Sequence, residues 1–252
     1  MFSGYYTIAS GMLTRQREID VLGNNLVNLQ TPGYRADRLM ITSFDQELLR
    51  RQEANNSAII NDGKMSTAAV VDEVVSLFHT GTIKPTERNL DVAINGEGFY
   101  NVKGTNGTVY LTRNGQFDID KDGYLTLPGV GQVLGQNNAA IKVTNENFSV
   151  EPDGSIYNEN GEQLGKLLIT VPPQNARLTK LENGMFQFVG GTQGTYPTNF
   201  TLEQSSLEQS NVDMQQEMTN LIEAQRGFQS CSSALQIIDA LNQKAAAELA
   251  SL

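Results

Sequence analysis

The chain has 252 residues, enough for a substantial core in one or two domains. Its net charge of −10, from 28 acidic against 18 basic residues, argues against a nucleic-acid or anionic-membrane partner, which needs clustered Lys and Arg. A single cysteine, Cys231, and a single histidine, His79, exclude an intramolecular disulfide framework and any zinc site built of thiolates or several histidines.

Met1 to Arg17 lacks the unbroken apolar run of a cleaved signal peptide, and no stretch approaches the ~20 apolar residues of a membrane span. The expectation is a protein that stays in the cytosol or leaves by a route that cleaves no signal. From about Ser3 to Asn28, Ile8, Met12, Ile19, Leu22, Leu26 and Leu29 follow 4-3 spacing, with Arg15 the polar member of that register. The spacing predicts a coiled-coil-type helix ~40 Å long, stopped by Thr31, Pro32 and Gly33. Asn24, Asn25 and Asn28 are poor helix formers near its end. They read either as termination and capping or as a hydrogen-bonded register lock between helices.

Residues 1–34 are thus expected to form an N-terminal assembly helix and turn, and 35–80 a connector. Within the connector, Leu39 to Arg51 fits a short amphipathic helix with Glu47 and Arg51 at i,i+4. Gln52 to Ala69 has little periodicity and reads as a partly flexible segment free to order at an interface.

Residues 81–202 are expected to be a β-rich domain. All seven prolines lie between Pro32 and Pro197, most of the 23 glycines fall between Gly81 and Gly194, and only Gly227 follows. Leu90, Val92 and Ile94 alternate as a strand, as does Lys166 to Val171. Val109 to Arg113, Asn114-Gly115 and Gln116 to Ile119 read as a hairpin with a primed turn, and Asp122-Gly123, Asp153-Gly154, Asn160-Gly161 and Asn183-Gly184 mark further turns.

Residues 203–252 are expected to be a C-terminal assembly helix. Leu207, Met214, Met218, Leu221 and Phe228 share one seam with the polar Asn211 and Gln225, and the stripe then drifts to Leu235, Ile238, Leu241, Ala245 and Leu249. Its start fits Ser205 with Glu208 or Ser210 with Asp213. The two terminal stripes can cover each other as an antiparallel pair, or complete their burial against other copies. The fold class is therefore α+β, with long terminal helices that pair and flank an inserted all-β domain.

Three local patterns suggest chemistry and each has a plainer reading. Asp118, Asp120 and Asp122 have the spacing of half a calcium loop, but the twelfth position is Gly129 where a Glu is required, so a hairpin turn with solvated acids is the better reading. Gly96-Glu97-Gly98-Phe99 lacks the third glycine and the following helix of a dinucleotide fingerprint, and reads as a tight turn with its aromatic ring in the core. His79 has no nucleophile or carboxylate near it in sequence, and Cys231 beside Ser230 and Ser232 reads as a packing residue. No enzyme, no cofactor and no metal site is expected.

At Asn24-Asn-Leu-Val-Asn-Leu-Gln-Thr-Pro-Gly-Tyr-Arg35 the sequence resembles the bacterial flagellar basal-body rod and hook proteins. The resemblance recurs at Leu90-Asp-Val-Ala-Ile-Asn-Gly-Glu-Gly-Phe99, at Thr112-Arg-Asn-Gly-Gln-Phe117 with Asp122-Gly-Tyr-Leu125, and at Leu207-Glu-Gln-Ser-Asn-Val-Asp213. It ends with Glu217-Met218 and Gln225-Arg226. Small departures are Gly23, Gln30, Tyr100 and the pair Glu87-Arg88.

The resemblance implies a subunit of the flagellar rod, polymerised into a helical tube by heterologous contacts that do not close a ring. It implies terminal helices in an inner layer around an export channel, with the β domain outside. The partners implied are further copies, other rod and hook subunits, the flagellar type III export apparatus and basal-body ring proteins, with no nucleic acid and no membrane insertion. The location implied is the basal body, reached by export to the periplasm or cell-wall zone. By position, Asn24, Asn25, Asn28, Thr31, Pro32, Gly33 and Tyr34 would shape the end of the inner helix. Ser210, Asn211, Val212, Asp213, Glu217, Gln225 and Arg226 would set the start and partner face of the C-terminal helix. Alternatives are a hook-type axial protein or, in a different class, a secreted calcium-binding or carbohydrate-active β module.

Overall fold

Among the described residues, two helices and seventeen strands divide between two units. One unit comprises residues 1–27, 37–77 and 213–252, and the other residues 28–36 and 78–212. The computed structural model describes residues 2–43, 69–173, 176–181, 184–189, 194–197 and 199–250.

In the first unit, α1 (Phe2–Val27) carries the expected apolar register. After it, Thr31 N–H donates to the Asn28 carbonyl (3.2 Å), Pro32 supplies no donor, and Gly33 at φ 68° turns the chain in the left-handed region. The second helix, α2 (Met214–Ala250), spans 37 residues and begins at neither expected start. Asp213 caps it, its Oδ1 accepting from Gln215 N–H at 2.9 Å and Gln216 N–H at 3.4 Å, and Glu217 lies in the first turn where the helix dipole favours an acid. Leu207 is consequently not part of the helical seam.

The helices pack on each other in antiparallel sense. A Cβ built at Gly11 would lie 3.8 Å from Cys231 Sγ, one at Gly227 would lie 3.1 Å from Arg15 Nε, and Asn25 Nδ2 reaches Glu217 at 3.3 Å. The pairs 11/231, 15/227 and 25/217 share one sum, so the helices run past each other without a slip over four turns of α1. Arg15, the polar residue in the stripe, is accommodated because Gly227 has no side chain, and Glu18 balances it at 2.7 Å. Cys231 is the half-buried packing residue expected of it.

The remainder of this unit corrects the sequence expectation. Asp37–Ser43 is a strand, β1, paired antiparallel with β2 (Ala69–Ser76), where Leu39 to Arg51 predicts a helix. The partner strand is rich in valine, and strand pairing of Leu39 with Val74 outweighs the helical i,i+4 pattern. The expected pair Glu47 and Arg51 and all of the segment Gln52 to Ala69 but its last residue lie outside the described residues, while Ala69 opens β2.

In the second unit, β3 (Ile83–Pro85) pairs with β17 (Ser206–Glu208), and β4 (Val92–Gly96) with β16 (Phe200–Gln204). Ser205, at φ 54°, makes the bend between β16 and β17. A larger antiparallel sheet contains β5 (Phe99–Gly104), β6 (Val109–Thr112), β7 (Asp118–Ile119), β8 (Leu125–Leu127), β9 (Gly131–Val133), β13 (Ile169–Thr170), β14 (Leu178–Lys180) and β15 (Phe186–Phe188). Its order is β14-β15-β6-β5-β9-β8-β7, with β13 pairing the first half of β5 and β9 the second. A three-stranded sheet holds β10 (Phe148–Val150), β11 (Ser155–Asn158) and β12 (Gln163–Lys166).

Tyr100, Val102, Phe117, Val133, Ile156, Leu167 and Ile169 are fully buried in one core cluster. Each large apolar side chain so buried contributes roughly 1.5–3 kcal/mol. The Tyr100 and Phe117 rings meet edge to face at 5.0 Å, and Tyr100 Oη donates to the Val92 carbonyl at 2.8 Å. Phe99, after the Gly96-Glu97-Gly98 turn, fills a second cluster with Leu111 and Phe186.

The hairpin expected at Asn114-Gly115 does not form. β6 pairs with β5 and β15, and β7 with β8. Asn114-Gly115 instead packs on the start of β4: Val92 N–H donates to the Gly115 carbonyl at 3.0 Å, and a Cβ at Gly115 would lie 1.7 Å from the Val92 oxygen. The Asp122-Gly123 turn does close a hairpin, β7 to β8, with Gly123 at φ 82°, and Asp120 Oδ1 accepts from Lys121 N–H.

Candidate assembly site

Gly33 to Ala36 lies in a polar junction of the second unit. Gly33 N–H donates to the Glu208 carbonyl at 2.8 Å, and a Cβ on Gly33 would come within 2.4 Å of the Arg113 backbone. Only glycine combines that approach with a left-handed φ. Tyr34, buried, lies under Lys180, whose Nζ sits 3.9 Å from the ring centroid and donates to the Arg35 carbonyl at 2.6 Å.

Arg35, Glu208 and Arg113 form a buried ionic triad. Arg35 Nη2 lies 2.9 Å from Glu208 Oε1 and Arg113 Nη1 3.2 Å from Oε2, with side chains exposed by 1%, 1% and 4% in the order Arg35, Glu208, Arg113. Arg113 also donates to the carbonyls of Ile94 (3.0 Å) and Gly96 (2.5 Å), Arg35 to that of His79, and Gly81 N–H to Glu208 Oε1 (2.9 Å). Burial lowers the pKa of both arginines, Glu208 opposes the shift, and for Arg35 the neighbouring Arg113 adds to it. Both stay charged, because an arginine starts from so high a value. One carboxylate therefore neutralises half of a desolvated double charge, and backbone carbonyls take up the remainder.

Asn211 completes the junction. Its Oδ1 accepts from Ala36 N–H at 2.7 Å, its Nδ2 donates to the His79 carbonyl at 2.9 Å, and its N–H donates to the Tyr34 carbonyl at 3.4 Å. His79 thus serves through its backbone. Ser210 Oγ accepts from the N–H of Val212, which is buried. Thr31 Oγ1 and Asn28 Oδ1 meet at 3.2 Å beside the half-buried Pro32.

In the first unit Asn25 is the buried member of the asparagine trio, while Asn24 is exposed. Asn25 Oδ1 accepts from Asp37 N–H and Nδ2 donates to the Asp37 carbonyl, both at 2.9 Å, and Nδ2 also reaches Glu217. Asp213 acts as the cap of α2. Gln225 and Arg226 lie exposed on α2 and take no part in either cluster.

Gly33 and Tyr34, expected at the end of the inner helix, and Asn211, expected at the start of the C-terminal helix, lie in this cluster together with Arg35, Arg113 and Glu208, which were not among the expected site residues. Three of the four separated signatures contribute one triad member each. A charged residue wedged into each motif, as in Leu207-Glu208 behind Ser206, was the available signal.

The chain matches three family models: "Flagella basal body rod protein" over residues 6–35, "Flagellar hook protein FlgE/F/G D1 domain" over 93–158, and "Flagellar basal body rod FlgEFG protein C-terminal" over 203–248. It is 30% identical to flagellar basal-body rod protein FlgG of Bacillus subtilis (strain 168), covering 97% of this chain and 98% of that one. It is 28% identical to flagellar hook-basal body complex protein FlhO of the same organism, covering 99% of each. It is also 28% identical to flagellar basal-body rod protein FlgF of Caulobacter vibrioides, covering 99% and 98%.

Proposed function

The chain belongs to the flagellar basal-body rod protein family and is a structural subunit of that rod, located in the basal body; from that premise we propose that its copies polymerise into a helical tube that transmits torque and encloses the export channel. The division into a β domain carried between assembly segments frames this reading, with the C-terminal assembly helix beginning at Met214.

One observation carries the proposal. After α1 and α2 have paired with each other, Leu13 and Val27 on α1 and Ile222, Ile237 and Leu241 on α2 are still exposed, Val27 by 82%. Apolar side chains left exposed on an intramolecular helix pair gain by burial against further copies. Asn24, Gln225 and Arg226 are exposed on the same helices and are assigned to contacts with partner copies and with other rod and hook subunits. Asn25, Asn28, Thr31, Pro32, Gly33, Tyr34, Ser210, Asn211, Val212, Asp213 and Glu217 hold the helix ends in the geometry those contacts need.

Export by the flagellar type III apparatus, and contact with basal-body rings, belong to the same proposal. The similarity to a hook-basal body complex protein favours one neighbouring reading, a hook-type axial subunit. Deleting the gene tests the main reading. The expected result is cells without hooks or filaments, restored by the gene in trans; full flagella in a strain that holds no close paralogue would overturn it.

A further inference from the structure

The chain passes four times between its two units, after Val27, Ala36, Leu77 and Val212. Three of these crossings end in residues that are fastened to one another within the β-rich unit. Ala36 N–H and the His79 carbonyl are bridged by the Asn211 side chain, one residue before Val212. Arg35 donates to the same His79 carbonyl and pairs with Glu208, while Glu208 also holds Gly81 N–H and, through its own carbonyl, Gly33 N–H. Arg113 then anchors Glu208 to Ile94 and Gly96 at the end of β4.

We infer that Glu208 is a positioning residue for assembly: it fastens the crossings at residues 36, 78 and 212 to the β-rich unit, so that stress carried along the β1–β2 ribbon or α2 reaches that unit at a single pinned cluster. The inference rests on the reading that the protein transmits torque. Its physical basis is the arrangement of bonds. A carboxylate shared by two desolvated guanidinium groups cannot release one of them without leaving a buried charge unpaired, so the cluster yields all at once or not at all. An apolar contact of the same size would slide, because it has no directional bond to break.

Hydrogen exchange on the purified full-length chain tests the clamp apart from motility. In Glu208→Gln, the amides of Gly33, Ala36 and Gly81 are expected to exchange about tenfold faster or more, the effect of losing a hydrogen bond at each site or the order that supports it. The amides of β5 and β9, which exchange through global opening, are expected to remain the slowest and to speed only by the fall in global stability that urea denaturation of the same variant measures. Asn211→Ala, which leaves no buried charge, is expected to speed Ala36 while leaving the same strands the slowest. Should Glu208→Gln speed the strands beyond that fall, Asn211→Ala decides by the same readouts. Unchanged exchange at Ala36 in Asn211→Ala, or at Gly33 and Gly81 in a folded Glu208→Gln, overturns the clamp.

The mechanical half is read in cells carrying either variant. Swimming in dilute medium is expected to survive and swimming in viscous medium to fail. Variants with fast local exchange that swim normally against high viscosity would overturn the role in stress transfer. The reading of the protein as a rod subunit is decided separately by the deletion strain.

Discussion

Asn25 holds Asp37 by both backbone groups, accepting from its N–H and donating to its carbonyl at 2.9 Å each. A side-chain amide here imitates a neighbouring strand, and it does so from the buried face of a helix. This is how α1 fixes the first residue of β1, while Asp37 Oδ1 in turn accepts from Ser76 Oγ at 2.6 Å across the ribbon. Asn25→Ala leaves a buried donor and acceptor unpaired and is expected to lower the stability of the full-length monomer by roughly 2–4 kcal/mol. Asn25→Asp keeps the shape but turns an acceptor toward the Asp37 carbonyl and Glu217, so it is expected to be no better. Urea denaturation followed by circular dichroism measures both, and an Asp variant as stable as wild type would refute the pairing.

Two glycines should respond to the same substitution with opposite sign. Gly11 lies inside α1 with Cys231 Sγ at an ordinary 3.8 Å from an added Cβ, so Gly11→Ala is expected to stabilise by about 0.5–1 kcal/mol through helix propensity. Gly33 has φ 68° and would drive a Cβ to 2.4 Å from the Arg113 backbone, so Gly33→Ala is expected to destabilise the β-rich unit and displace the triad. Thermal unfolding of the two variants side by side checks the contrast.

The triad predicts strong non-additivity. Glu208→Gln leaves two buried guanidinium groups without their anion and is expected to cost about 3–5 kcal/mol. Replacing all three members together, Arg35→Met, Glu208→Leu and Arg113→Met, removes every buried charge and is expected to cost less than the sum of the three single changes. A denaturation cycle over the single and triple variants that came out additive would show that the three side chains act independently.

Among the described residues, Asp153 is a surface contributor to acid sensitivity. The Ser155 N–H and then the Lys166 ammonium at 2.9 Å hold the Asp153 carboxyl down to about 2, from an ordinary 3.8. A depressed folded pKa stabilises at pH values above the unfolded one, and that contribution is lost as pH falls from about 4 to about 2. Because the pair is exposed, the effect is small. Asp153→Asn is expected to flatten the stability profile in that window only, measured by denaturant midpoint at stepped pH.

The terminal helices and several turns are legible because each depends on neighbours in sequence, as in the 4-3 stripe of α1 and the glycine of Asp122-Gly123. The errors fall where distant residues decide. Leu39 to Ser43 carries a helical pattern, yet its pairing with Ala69 to Val74 makes it a strand. Ser205 to Glu208 has the spacing of a capping box, yet Leu207 and Glu208 are buried in β17 and Glu208 is taken by two arginines. The Asn114-Gly115 dipeptide has hairpin chemistry, but Val92 requires its carbonyl. The triad itself was visible only as three charged residues in three motifs, since nothing local says that positions 35, 113 and 208 meet.

The most direct test of the central claim is the protein's presence in the isolated organelle. A functional tagged copy, followed by mass spectrometry and by immunogold labelling of purified hook-basal bodies, should be recovered with the particle and label the rod between ring and hook. Intact basal bodies from motile cells that lack the protein, or label confined to another part of the particle, would contradict the account.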